Sequence, residues 1–194
     1  MYEYLKGKLD SIQGDYLVVD VNSVGYKVFT SQNTIRNAVV DSSMKIFTQL
    51  IVKEDEMVIY GFDTKDELNM FKLLNTVSGV GPKAAVSLLN HYKPQDIALA
   101  IISKDIAKLT KAQGIGKKTA ERIILELKDK IDNESAIGLQ GTDSFGGDVS
   151  EVIEALTTLG YSYSDAAQAV AKLQDKEAPI DVMIKGALRI LAVM

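Results

Sequence analysis

An eight-residue pattern occurs twice in this chain, 35 positions apart and identical at four of its positions. Ser78-Gly79-Val80-Gly81-Pro82-Lys83-Ala84-Ala85 returns as Gln113-Gly114-Ile115-Gly116-Lys117-Lys118-Thr119-Ala120. Each copy follows a stretch of helical periodicity. Each then runs glycine–aliphatic–glycine, a cation, and small residues that open another helix. The glycines permit a tight corner and leave the backbone bare for close approach. The first N–H groups of the following helix have no intrahelical partner, and the helix dipole favours an anion there. Lys83, Lys117 and Lys118 add charge, with Arg122 a further candidate. Val80 and Ile115 are placed to plug each corner into a core. Such a corner holds phosphate and reads no base, so binding should depend on salt and not on sequence. Two copies related by local symmetry suit the two strands of one duplex.

The charge distribution points the same way. Net charge over all 194 residues is −4, which taken alone argues against a polyanionic partner. Residues 65–131, however, hold 12 Lys/Arg against 7 Asp/Glu, and the remainder holds 10 against 19. A basic module thus lies between two acidic ones.

The chain changes period around that module. Residues 1–63 read as five short strands, Tyr4–Ile12, Tyr16–Val21, Val24–Thr30, Met44–Val52 and Met57–Phe62, rich in Val, Ile, Tyr, Phe and Thr. Gln13-Gly14-Asp15, Asn22-Ser23 and Lys53-Glu54-Asp55-Glu56 supply turns between them. Five strands in so short a span suit a small barrel of OB-fold type. Residues 64–131 read as helices, with Thr64 as the first cap and Asp66 and Glu67 suiting the positive end of the first helix. Further segments are Ala84–Leu89, Ile97–Ile102, Ile106–Leu109 and Ala120–Ile131. Residues 132–148 contain four glycines, no Lys or Arg and no sustained period. They predict a flexible linker, spanning roughly 20–25 Å as a coil. Val149–Leu159, Ser164–Leu173 and Ile180–Ala192 form a three-helix unit, 149–194, with Ser150, Ser164 and Pro179 at the helix starts. The fold class is α+β, in several domains.

Other chemistries fit poorly. Gly79-x-Gly81-x-x-Ala84 matches a dinucleotide fingerprint, but that motif follows a strand and here a helical pattern precedes it. A phosphate-binding P-loop needs glycine and Ser/Thr where Lys111 and Lys118 stand. There is no cysteine and one histidine, His91, which excludes disulfides, thiolate chemistry and ordinary zinc sites. Plain helix–turn–helix corners remain the bland reading of either copy alone. The first residues, Met1–Lys6, carry no basic stretch followed by an apolar one, and no run reaches the length of about 20 residues that spans a bilayer. A cytoplasmic setting is expected, with no cofactor. Tyr2, Tyr4, Tyr16 and Tyr26 are placed to pack the barrel or a subunit interface, and Gly7 and Gly25 to bend strands.

Both copies of the repeat resemble the helix-hairpin-helix motif of DNA-binding proteins that lack sequence preference. Gly114-Ile115-Gly116-Lys117-Lys118-Thr119-Ala120-Glu121-Arg122 is similar, almost letter for letter, to the second such motif of the RuvA family, and Gly79-Val80-Gly81-Pro82-Lys83 to the first. The resemblance covers the whole chain. It implies a non-catalytic, nucleoid-associated subunit that binds four-way Holliday junctions as a homotetramer or octamer. Its partners would be the hexameric ATPase RuvB and, in some assemblies, the RuvC resolvase.

Two further sites follow from that resemblance. Glu54-Asp55-Glu56 lies between two strands. Three carboxylates there suit a solvated turn or a divalent metal. The family instead implies an acidic pin at the junction centre, with Glu54 and Asp55 on the matching positions and Glu56 an extra carboxylate. The metal reading would make the chain a junction-specific nuclease. In residues 149–194, Leu156, Leu159, Tyr161, Leu188 and Leu191 read as an exposed apolar patch. The first four lie at positions that the resemblance assigns to the motor contact.

Overall fold

The computed structural model describes residues 2–137, 147–161, 163–173 and 178–192. Five strands, β1 (Tyr4–Gln13), β2 (Tyr16–Val21), β3 (Val24–Phe29), β4 (Ser43–Val52) and β5 (Met57–Phe62), close a barrel in the order β1-β2-β3-β5-β4. All pairings are antiparallel except β3 with β5. This is the OB-type barrel expected from the strand pattern. Alternation sets its interior: Leu5, Leu9, Leu17, Val19, Val28 and Ile46 are buried. Each large aliphatic side chain withdrawn from water contributes about 1.5–3 kcal/mol.

Two local devices allow closure. Asn22 and Ser23 both take positive φ, 53° and 68°, which matches the two-residue hairpin joining β2 to β3. Gly7 faces the backbone of β2 so closely that a Cβ there would lie 2.0 Å from the Asp20 carbonyl oxygen. Close approach, rather than the bend expected, is what requires glycine at that position.

A short helix, α1 (Gln32–Asn37), lies between β3 and β4, where the sequence reading placed no element. Ser31 caps it by accepting from the Thr34 N–H. Helix α2 (Lys65–Asn75) begins at Thr64, whose hydroxyl accepts from the Glu67 N–H at 3.2 Å. Its Phe71 stacks on Tyr60 at 5.1 Å and lies as close to Phe62, closing one end of the barrel. Glu67 stands in the first turn of α2, at its positive end, as expected, but it is enclosed there. It is 3% exposed and accepts hydrogen bonds from the Ser31 and Thr34 hydroxyls, each at 2.9 Å. Burial pushes its carboxyl up to about 7, with the hydrogen bond to Asp63 acting in the same direction.

Helix α3 (Pro82–His91) is seated on α1: the Asn33 amide donates to the Leu89 carbonyl at 2.7 Å, and Asn90 accepts from the Gln32 N–H at 2.8 Å. Helices α4 (Pro94–Ile102), α5 (Ile106–Leu109) and α6 (Lys117–Ile137) follow. Their core includes Ile97, Ile101, Ile102, Leu109, Ile123 and Leu127, all within 1% of full burial. Helix α6 continues to Ile137, so residues 132–137 are helical and not linker. The rest of the expected linker, residues 138–146, lies outside the described residues.

The C-terminal unit consists of α7 (Gly147–Thr158), α8 (Tyr163–Ala171) and α9 (Ile180–Leu191). Ser150 and Ser164 fall inside α7 and α8 and are not their caps. Pro179 does stand at the N-cap of α9. Val152, Ile153, Leu156, Ala166, Ala167, Val170, Met183 and Ala187 form its core. Helix α7 ends in a Schellman turn: Gly160 takes φ +96°, its N–H reaches the Thr157 carbonyl, and the Tyr161 N–H reaches Leu156. No helix among the described residues is long and apolar enough to cross a membrane.

Candidate nucleic-acid interface

The two copies of the repeat adopt the same corner. Gly79 and Gly114, the first glycine of each, both stand at φ +87°, where any L-residue is strained. The second glycine of each copy opens the next helix. The Gly81 carbonyl accepts the first helical bond from the Ala85 N–H at 3.0 Å, and the Gly116 carbonyl accepts from Ala120 at 2.9 Å. Val80 and Ile115, between the glycines, are 5% and 4% exposed. They are the plugs anticipated from their aliphatic character.

What remains outside is backbone and charge. Gly79, Gly81, Gly114, Gly116, Lys83, Lys117 and Lys118 are all exposed. A Cβ added at Gly81 or Gly116 would meet nothing within 4 Å. The space above those two residues is open, and an oxyanion can enter it against bare main chain. Gly81 carries no side chain that could cap α3. Pro82 lacks an N–H, so the donors of the first turn begin at Lys83. After Gly116 the first turn of α6 offers the amides of Lys117, Lys118 and Thr119. Each corner therefore presents main-chain donors at the positive end of a helix, beside lysine.

Arg122 is exposed, but its guanidinium is engaged: Nη1 donates to the Ser78 carbonyl at 3.0 Å. The second corner is braced in turn by the Ser87 hydroxyl, which accepts from the Gln113 N–H at 2.8 Å. Nothing in the sequence marked Ser87. His91 has a local partner, the Ser87 carbonyl.

The acidic turn joins β4 to β5. The Lys53 N–H donates to the Glu56 carbonyl, and the Lys53 ammonium bonds the Glu56 carboxylate. That contact raises the Lys53 pKa. It also separates Glu56 from its neighbours: Glu54 and Asp55 are exposed at the tip, and no ion pair to either occurs among the described residues. Nor do the described residues contain a group of three or more His, Cys, Asp or Glu able to hold a metal.

On the C-terminal unit, Leu159 is 61% exposed and Tyr161 38%. Leu156 is fully buried, which corrects its expected place in a surface patch. It points into the three-helix core, and only the residues beyond it, in the Schellman turn, face outward. Leu188 and Leu191 are half-buried. Val182, 51% exposed on α9, is a further apolar surface residue that the sequence reading did not single out.

Residues 1–61 match the model of the RuvA N-terminal domain, 71–129 that of a SAM-like helix-hairpin-helix tandem, and 147–192 that of the RuvA C-terminal domain. The chain belongs to the RuvA family. It is 46% identical to a protein of Acetivibrio thermocellus, with 99% of each chain covered. It is 42% identical to one of Clostridium perfringens, over 98% of this chain and 99% of the relative. A Clostridium botulinum protein is 45% identical, over 97% and 98%. Each of these relatives bears the name Holliday junction branch migration complex subunit RuvA. The three matched regions fall on the barrel, the paired corners and the three-helix unit.

Proposed function

We propose that this RuvA-family chain binds four-way DNA junctions without sequence preference and serves a RuvB-type ATPase as the DNA-holding subunit of a branch-migration complex. The observation that carries this is the pair of glycine corners with matched torsions, buried aliphatic plugs and open space over exposed main chain. Main-chain donors around Gly79, Gly81, Gly114 and Gly116 would take phosphate oxygens, one corner to each strand of an arm. Lys83, Lys117 and Lys118 supply long-range attraction. Arg122 contributes charge from beside the first corner.

The further steps concern assembly. Four chains around a junction would place four acidic tips near its axis. Glu54 and Asp55 would then repel phosphates and discourage stacking of the arms into a closed form. Glu56, held by Lys53, contributes less to that field. The C-terminal unit presents Leu159 and Tyr161, with Leu188 beside the core, as an apolar dock for the motor. A homotetramer is the assembly this reading requires; an octamer and a handover to a RuvC-type resolvase are compatible extensions of it. The nuclease alternative gains no support from the relatives' names or from the geometry of the acidic turn.

The deciding experiment is a band-shift titration of the full chain with a four-way junction and with linear duplex of equal length, in EDTA and in Mg²⁺. Tighter, uncut binding of the junction over several unrelated sequences is expected. Equal affinity for both DNAs would defeat the junction reading, and Mg²⁺-dependent cutting would restore the nuclease.

A further inference from the structure

The 35-residue offset superimposes more than the corners. It places Ser78 on Gln113, Gly79 on Gly114, Gly81 on Gly116 and Ser87 on Arg122. The two bracing bonds join these equivalent positions crosswise. Ser87, eight residues after the first glycine of copy one, accepts from the N–H of Gln113, just before the first glycine of copy two. Arg122, eight residues after the first glycine of copy two, donates to the carbonyl of Ser78, just before the first glycine of copy one. The chemistry differs, a hydroxyl accepting in one case and a guanidinium donating in the other, yet the placement is the same. Ala84 adds to the crossing, since a Cβ on Gly114 would lie 3.5 Å from the Ala84 methyl.

Neither bond satisfies a buried group. Ser78, Gln113 and Arg122 are exposed, and water could serve their polar atoms if the bonds were absent. Exposed hydrogen bonds of this kind contribute little to folding. What they do is fix each corner against the helix that follows the other. We infer that Ser87 and Arg122 form a reciprocal brace that fixes the residue before the first glycine of each phosphate grip, and that Ser87 is a positioning residue for duplex binding. This rests on the reading of the corners as phosphate grips. A duplex arm needs both grips engaged at once, on strands whose separation is set by the DNA. A corner free to tilt spends part of its time out of place, and apparent affinity falls by the fraction misplaced.

The test is S87A in the full chain, with S87T as the conservative partner. Alanine favours helix over serine, so S87A folds. Its junction affinity is expected to fall about threefold to tenfold, the scale of one net hydrogen bond. S87T, which keeps a hydroxyl at the same place, is expected to restore it. The slope of log affinity against log salt should stay that of the wild type, because no phosphate contact has been removed. Unchanged affinity in S87A would overturn the brace. So would a loss that S87T fails to restore, because the accepting hydroxyl would then not be its cause. Junction affinity and salt slope left unchanged by K117A/K118A would remove the underlying reading of the corners as phosphate grips, whatever Ser87 does; a weakened K117A/K118A beside an unaffected S87A removes the brace alone.

Discussion

The Ser31 hydroxyl caps α1 and at the same time donates to Glu67 Oε1 at 2.9 Å, so one side chain ties the loop after β3 to the first turn of α2. The carboxyl it meets is buried and titrates near 7, against an ordinary value of 4.5. A raised carboxyl favours the folded state most when protonated. Its contribution is complete below about pH 4.5 and is lost as pH rises through about 7.

The barrel should therefore weaken as pH rises from about 4.5 to about 7, by up to about 1.4 kcal/mol per pH unit, and level off above that. E67Q, neutral throughout, should flatten that slope. Urea unfolding at several pH values reads both. An identical slope in wild type and E67Q would show that Glu67 is not the group responsible.

The four corner glycines should separate into two pairs. G79A and G114A force a methyl-bearing residue to φ +87° and should cost about 1–2 kcal/mol of stability each. G81A and G116A meet open space and should melt close to wild type. They fill the cradle, however, and junction affinity should drop on the order of tenfold, as expected when a phosphate loses its main-chain donors. Thermal melts paired with band shifts distinguish the two classes. Equal melting losses across all four would argue that the second glycines serve the fold alone.

Neutralising the tip of the β4–β5 turn should leave binding intact. The double variant E54Q/D55N is expected to hold a four-way junction at least as tightly as wild type, since it removes repulsion. Its branch-migration rate with the partner ATPase should change. E56Q, which breaks only the Lys53 contact, should have the smaller effect. Loss of junction binding in the double variant would remove the pin.

On the C-terminal unit, burial predicts opposite outcomes for two leucines three residues apart. L156A empties a core position and should cost about 2–5 kcal/mol, enough to unfold so small a unit. L159E changes a side chain that is 61% exposed and should leave the helices intact while abolishing motor stimulation. Circular dichroism of both variants, with an ATPase stimulation assay, checks this. Full stimulation by L159E would place the dock elsewhere.

The sequence shows its elements where periodicity is strong. The strands of the barrel are legible to within a residue, because alternation and turn residues agree. The corners are legible because the repeat is. Helix α1 is not: six residues offer too little period, and its main signal is Ser31, a common residue in loops. The reach of α6 to Ile137 is missed for the opposite reason, since Asp132-Asn133 looks like an end while the helix carries through it. Glu67 is legible as a helix-start acid, but its burial is not, because sequence cannot show that two hydroxyls from 36 and 33 residues away will close over it. Ser87 gives no sign at all; a lone serine on a helix has its meaning only once the other corner is folded beside it.

A grip made from main-chain amides has a genetic consequence. On the proposed reading, side-chain substitution scans of this surface would register its lysines and leave the holding amides in place, because every residue but proline brings an N–H of its own. Replacing an amide by an ester at residue 84 or 119, through chemical synthesis or semisynthesis, is the perturbation that reaches them.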